Sequence, residues 1–453
     1  MTDRMVTREL AQWISGLSGS DIPGEVRSEG VRTFVNWLGC ALGGADHPSM
    51  DAALRALSPF SGPRSSTVLG RTDTLDPMNA ALLNGISSHV LDYDDTHLKT
   101  IIHPAGPVAS ALLALAELRP MSGEDFLTAL IAGVEVECRI GNSVYPAHYD
   151  RGWHITGTAG VFGAAAACGQ AMGLDAQRQT WALGLAGTQS SGLREAFGTM
   201  TKSYHPGVAA MNGLRSALLA EAGFDSAEQG IEGRRGWAAI LSDAFDETEI
   251  LGGLGERWEA ALNSYKPFAC GIVIHPTIDG CQQIRAEIGD RVNDIAKVEL
   301  RTHPLVLELT GKRAPRTGLE AKFSVFHSAA CALLRGDGAP TAFTDEVVNL
   351  PEILDLRGRV EAITDPDMHE ASVNITLTFN DGTTLEKYVD RAIGSRDRPL
   401  SDAHLEQKFL TQAGLVVGED VAKAALDAAW GIERADPASV ARATVPVSSA
   451  AAE

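Results

Sequence analysis

The spacing of apolar residues changes once along this chain, and that change constrains the fold more than any other feature. From the N-terminus to about Asn263, Ala- and Leu-rich segments place apolar side chains three and four apart, as in VRTFVNWLGCALGG, NAALLNGISSHVLDYDD, VASALLALAEL, EDFLTALIAGVEVECRIGNSV and QTWALGLAGTQSSG. This predicts a many-helix bundle in which frequent Gly and Ala let helices approach closely. After Lys266 the period shortens. AKVELRTH, Ala296 to His303, reads as a strand, and ASVNITLTFNDGTTLEKYV reads as a hairpin with Val373, Ile375, Leu377 and Phe379 on one face and Asn380-Asp381-Gly382 at the turn. KFSVFHSAACALLRG between them reads as a helix covering a small sheet, and DAHLEQKFL and VAKAALDAAWGI return to helical spacing. The expected architecture is mainly α: a large all-helical domain formed by residues 1–266 and 401–453, with a smaller α+β lid domain over 267–400. The tail ADPASVARATVPVSSAAAE is small and polar, and is expected to fray.

A chain of 453 residues fits two such units. Lys and Arg number 38 against 58 Asp and Glu, a net charge of −20, which repels nucleic-acid backbones and anionic lipid. An anion would therefore need a local basic pocket. The six cysteines are scattered with no CxxC pair, so no zinc or iron–sulfur ligand set is visible, and their apolar settings suit a reducing compartment. MTDRMVTRELAQW lacks the apolar core of a secretory leader, and TAGVFGAAAACGQAMGL is too short and too rich in small residues for a membrane span. A cytoplasmic protein without nucleic-acid or membrane partners is expected.

Four segments carry the chemistry. LDYDDTHLKTIIHPAG, Leu91 to Gly106, follows a helix expected to end near Val90, so Asp92, Asp94 and Asp95 sit where the helix dipole disfavours carboxylates. YPAHYDRGWHITGTAG carries Tyr145, Arg151 and His154, with Thr156 and Thr158 as candidate caps for the helix that follows. GTMTKSYHPGVAAMNG places Lys202 and His205 ahead of another small-residue helix, and SYKPFACGIVIHP places Lys266 and His275 at the junction of the two units. His103, His205, His275 and His303 each precede proline, which predicts extended loop positions for them. The aspartates and histidines could also bind a divalent ion, but no HExxH helix is present and lysines compete for the carboxylates. Neither a GxSxG elbow nor a nucleotide-binding glycine loop occurs. A non-enzymatic helical binding protein, with these groups merely paired as salt bridges, is the bland alternative.

In that order, LDYDDTHLKTIIHPAG, GWHITGTAG, GTMTKSYHPGVAAMNG, SYKPFACGIVIHP and TGLEAKFSVFH resemble the signature segments of the MmgE/PrpD family, over about residues 30 to 410. The family includes dehydratases of 2-methylcitrate, decarboxylases of cis-aconitate and epimerases of iminodisuccinate. The resemblance implies a helical domain with an α+β lid, a cleft between them, homodimerisation, and no metal or organic cofactor. It also implies active-site positions at Asp92, Thr96, His103, His154, Lys202 and Lys266, with His327 where decarboxylase members carry a tyrosine.

These activities share a proton or electron pair handled at the carbon beside a carboxylate, where negative charge grows. The expected catalytic groups are His103, His154, Lys202 and Asp92, with Lys99 and Tyr145 as further proton donors. Thr96, Lys266, Arg151, His275 and His327 are expected to bind a small anionic substrate, and no residue is expected to bind metal. Dehydration of a hydroxy di- or tricarboxylate is placed slightly ahead of epimerisation and decarboxylation.

Overall fold

Close helix crossings require small residues, and glycines mark where the main helices of this protein meet. The computed structural model describes residues 4–446 and is mainly α. The elements that position the site are, in chain order, α1 (Gly24–Gly43), α2 (Pro77–Val90), β1 (Asp95–His97), α3 (Ala105–Leu118), α4 (Gly123–Val144), α5 (Ile155–Ala171), α6 (Met200–Glu221), β2 (Asn263–Tyr265), α7 (His275–Ile288), β3 (Ile295–Thr302), α8 (Val325–Arg335), β4 (Val360–Thr364), β5 (Val373–Phe379), β6 (Thr384–Val389), α9 (Asp402–Val417) and α10 (Glu419–Trp430). Asp76 starts α2 by accepting from the Met78 and Asn79 N–H groups at 3.0 and 3.2 Å, with Pro77 in the first turn. Helix α6 crosses α2 so closely that a Cβ on Gly207 would lie 2.3 Å from the Leu82 carbonyl oxygen. It also packs on α5, where a Cβ on Gly213 would meet that of Ala164 at 2.4 Å.

Two cores result. The first joins Phe34 and Trp37 of α1 to Phe126 of α4, with the Phe34 and Phe126 rings edge to face at 5.2 Å. Helices α9 and α10 return to this core, and the Phe409 ring of α9 fills the space that a side chain on Gly39 would need. The second core lies under a four-stranded sheet of order β4-β3-β5-β6, with β3 and β4 parallel and the other pairs antiparallel. Val373, Ile375, Leu377 and Phe379 alternate onto its buried face, where α7 and α8 cover them. Cys40 of α1 and Tyr93 belong to this core as well, so the two cores meet at the segment Leu91–Gly106.

Several expectations are corrected. The region before Asn263 is not purely helical: Ser66–Thr67 pairs with Thr74–Leu75, and β1 pairs with β2, so the aspartate-rich stretch contains a strand. Helix α6 begins at Met200, so Lys202 and His205 lie within it. Pro206 is tolerated there because its φ suits a helix, and the packing of Gly207 on α2 offsets the missing N–H. Likewise His275 opens α7 instead of lying in a loop. Thr156 and Thr158 sit inside α5 and do not cap it; the preceding residue is His154. Pro437–Ala443 of the tail is a helix capped by Asp436, whereas residues 447–453 lie outside the described residues. Among the described residues no helix is long and apolar enough to cross a membrane.

The α2–α6 crossing predicts that Gly207→Ala destabilises the protein by about 1–3 kcal/mol through overpacking against a carbonyl that cannot move alone. Gly16→Ala, where nothing lies within 4 Å, should be near neutral. Urea unfolding of both variants checks this; equal midpoints would contradict the packing argument.

Candidate functional site

The turn after α2 is held in a conformation that L-residues avoid. Asp92 has φ +51° and Ile101 φ +59°, and among the described residues no other non-glycine has positive φ. Three buried lysines from distant parts of the chain fix the first of these turns by binding consecutive carbonyls. Lys322 Nζ donates to Leu91 O at 2.5 Å, Lys266 Nζ to Asp92 O at 3.3 Å, and Lys408 Nζ to Tyr93 O at 2.5 Å. Lys266 also reaches the Asp92 carboxylate, 2.5 Å from Oδ1, and Lys202 reaches the same oxygen from α6 at 3.0 Å. Asp92 Oδ2 is buried without a protein partner.

These groups line a cavity between the helical bundle and the sheet region. Its polar wall is Asp92, His103, His154, Lys202 and Lys266, and its apolar wall includes Ile101, Phe197, Ile272, Val273, Leu309 and Phe323. His103 Nδ1–H donates to Asp95 O at 2.7 Å, and its backbone N–H donates to Thr156 Oγ1 at 3.1 Å. This fixes the tautomer and leaves Nε2 as a free base on a ring that faces the cavity. Asp94 stands behind it, with Oδ1 3.4 Å from His103 Nδ1 and Oδ2 2.6 Å from His89 Nδ1. His154 Nδ1 contacts His205 Nδ1 at 2.9 Å, so its Nε2 is also left for the cavity.

Burial pushes the Asp92 carboxyl up, but Lys202 and Lys266 more than reverse this and hold it well below the usual carboxylate range. Burial lowers the Lys202 ammonium, only partly offset by Asp92, while Asp92 and Asp94 raise Lys266 against its burial. Burial puts His103 well below the usual imidazole range against the pull of Asp94; His154 falls equally through burial and then Lys202. Burial and the neighbouring Asp94 push Asp95 up to about 7.

The structure thus brings together Asp92, His103, His154, Lys202 and Lys266, and places the remaining candidates elsewhere. Thr96 is buried behind His103, its Oγ1 3.3 Å from Nδ1, and does not line the cavity. Lys99 is half exposed, is paired with Glu249 at 3.0 Å and does not line the cavity. Arg151 is spent on Asp243 at 2.7 Å on the surface. Tyr145 packs beside Tyr149, and it is the Tyr149 ring that reaches the cavity. His275 is buried against Phe268, and His327 Nε2–H donates to Ala342 O at 2.9 Å, so neither faces the cavity.

Sequence reasoning missed His89, Ile101, Tyr149, Phe197, Lys322 and Lys408. Ile101, Tyr149 and Lys322 lay within the singled-out segments LDYDDTHLKTIIHPAG, YPAHYDRGWHITGTAG and TGLEAKFSVFH, but nothing in their residue type set them apart there. His89, Asp94 and His103 offer metal-ligand atoms within 4.8 Å of one another. His103 Nδ1 is committed to Asp95 O, however, and His89 Nδ1 to Asp94, so the trio is a hydrogen-bonded set and a poor fit to a metal ion.

The chain is similar to proteins of known activity over nearly its whole length. A cis-aconitate decarboxylase of Homo sapiens is 28% identical over 457 residues, covering 96% of this chain and 94% of the relative. A cis-aconitate decarboxylase of Aspergillus terreus is 26% identical over 460 residues, covering 95% and 93%. A 2-methylcitrate dehydratase of Escherichia coli (strain K12) is 24% identical over 425 residues, 84% of each chain. Residues 8–249 match the MmgE/PrpD N-terminal domain and residues 268–433 the MmgE/PrpD C-terminal domain, so the chain belongs to the MmgE/PrpD family.

Proposed function

We propose that this protein is a lyase acting on a small polycarboxylate by proton transfer at the carbon beside a carboxylate. The observation that carries the reading is the meeting of two lysine ammonium groups and two imidazole Nε2 atoms in one cavity. Four buried lysines, Lys202, Lys266, Lys322 and Lys408, stand against two ionised aspartates, Asp92 and Asp94, when Asp95 is protonated: 4 − 2 = 2 positive charges in excess. A dicarboxylate portion of a substrate would neutralise that excess. Lys202 and Lys266 would hold carboxylates and stabilise the enolate-like charge of the transition state, which is the part of binding that accelerates reaction. His103, fixed as an Nε2 base, would exchange protons with the substrate carbon, and His154 would serve the second proton transfer. Asp92 orients both lysines, and Thr96 and Asp94 support His103 from behind.

Decarboxylation of a cis-aconitate-like tricarboxylate now leads over dehydration. The decarboxylase relatives cover more of the chain than the dehydratases do. The apolar wall of Ile101, Ile272, Val273 and Leu309 would also strip water from a carboxylate about to leave as carbon dioxide. The replacement of a tyrosine by His327 counts less against it, because His327 lies away from the cavity. Dehydration remains the second reading, favoured by two free imidazoles that could act as base and acid. The sheet region, residues 267–400, would be the lid, and the family resemblance adds a homodimer.

Incubation with cis-aconitate and, separately, 2-methylcitrate in deuterated water, followed by NMR, should show deuterium at the protonated carbon of one product. Deuterium uptake without net conversion would indicate an epimerase, and no turnover or exchange of either compound would sink the lyase reading. His103→Gln should lower kcat by about 10²- to 10⁴-fold while the variant unfolds at a normal midpoint. Because burial holds His103 and His154 well below the usual imidazole range, kcat/KM should show no histidine acid limb near pH 6.5, and it should decline between pH 7 and 8 as Asp95, pushed up to about 7, ionises and reduces the positive excess. An acid limb centred at 6.5 or higher would contradict the assignment.

A further inference from the structure

His154 and His205 face each other through identical atoms. Their Nδ1 nitrogens are 2.9 Å apart, with ring centroids at 5.1 Å, and His154 Nδ1 has no other protein partner. A contact of this kind holds one proton. With both rings neutral, one must carry Nδ1–H and the other Nε2–H, because two lone pairs or two N–H groups at this distance would repel. The surroundings oppose charging either ring. Burial, then Lys202 and His89, act against a cation on His154, and burial, His89 and Lys202 act against one on His205, which is pushed down to about 4.

Access to the two rings differs. His154 lines the cavity, with the Phe197 ring edge-on at 5.0 Å. His205 does not line it. Its Nε2 has no protein partner yet, unlike His89 Nε2, is not sealed from solvent, and the residue is 6% exposed. Two glycines make room for the ring. A Cβ on Gly157, in the first turn of α5, would lie 3.1 Å from His205 Cβ, and one on Gly192, at φ +131°, would lie 3.1 Å from its Cγ.

We propose that His205 is a positioning residue that sets the tautomer of His154 and relays protons between it and solvent through their shared Nδ1 proton. The inference rests on the reading that His154 exchanges a proton with substrate. In the inward direction a hydronium ion gives a proton to His205 Nε2 and becomes water. The His205 Nδ1–H bond breaks as a bond forms to His154 Nδ1, and the His154 Nε2–H bond breaks as its proton passes to the substrate carbon. Both rings begin and end neutral with their tautomers exchanged, and the reverse sequence carries a proton out. His154 can thus be acid or base without a lasting cation beside Lys202.

The test uses the full-length protein labelled with ¹⁵N-histidine, without ligand, and long-range ¹H–¹⁵N correlation assigned by comparison with His154→Gln and His205→Leu. The expected result is that the Nδ1–H populations of the two rings sum to one, and that His154 in His205→Leu loses whatever Nδ1–H population it has in the wild type and is Nε2–H, the form that free imidazole favours. Two rings both mainly Nε2–H in the wild type, or a His154 that keeps an Nδ1–H population in His205→Leu, would overturn the proposal. Should His205→Leu fail to fold, His205→Ala, which likewise offers His154 Nδ1 no side-chain partner, replaces it with the same criterion. On whichever polycarboxylate the wild type turns over, His205→Leu should lower kcat about tenfold or more with little change in KM, and added imidazole should restore part of the loss. Loss without rescue would leave His205 a purely structural group and refute the relay. A tautomer pair seen by NMR without turnover of any polycarboxylate would count against the lyase reading alone.

Discussion

Three lysine ammonium groups holding three successive carbonyls, those of Leu91, Asp92 and Tyr93, are the interaction on which the rest of the site depends. A left-handed aspartate costs about 1–2 kcal/mol relative to ordinary backbone. It persists only where its surroundings determine it several times over. Here they do: Lys266 leads out of the strand paired with β1, Lys322 precedes α8, and Lys408 belongs to α9. The turn is therefore the point where the bundle, the sheet region and the returning helices are tied together. Because Asp92 is held there, its carboxylate can in turn hold Lys202 and Lys266 at the cavity wall. Removing any one member would leave a buried charge or carbonyl without its partner, which costs far more than a surface pair.

The electrostatics follow from burial. In a protein of net charge −20, an anion site is workable only if the cations are sequestered from the general field, and the lysines here are all buried. Histidines in the same setting are driven neutral, which suits them to proton transfer. The hydrogen bond from His103 to Asp95 O decides which nitrogen is basic. Apolar residues opposite the charged wall keep the local dielectric low, so each of these interactions is strengthened.

Much of the fold was legible because each element announced its period. The alternation of Val373, Ile375, Leu377 and Phe379 matched the buried face of β5 residue for residue, and the helix ending at Val90 ended there. What misled was local reasoning applied where packing rules. Pro206 suggested a loop, yet the contact between Gly207 and α2 keeps the helix going. The five residues that do meet in the cavity were all named from the sequence, since family-like segments marked them. The supporting shell was not: His89 and Lys408 lie in ordinary helical sequence, and His89 gains Asp94 only through the turn after α2, while Lys408 gains Asn36 and Tyr93 O only when α9 packs against α1. Conversely Lys99 and Arg151 were chosen for being charged near the right segments, and each found a surface carboxylate first.

The lysine clasp also dictates when the site can come into being. The amine that grips the Tyr93 carbonyl is encoded 315 positions downstream of it. During translation the early helices leave the ribosome long before their reactive centre has its fastenings. A nascent or truncated chain would therefore expose a loose, acidic turn with no competence for chemistry. The turn gains its last fastening only when the closing helix packs back against the first.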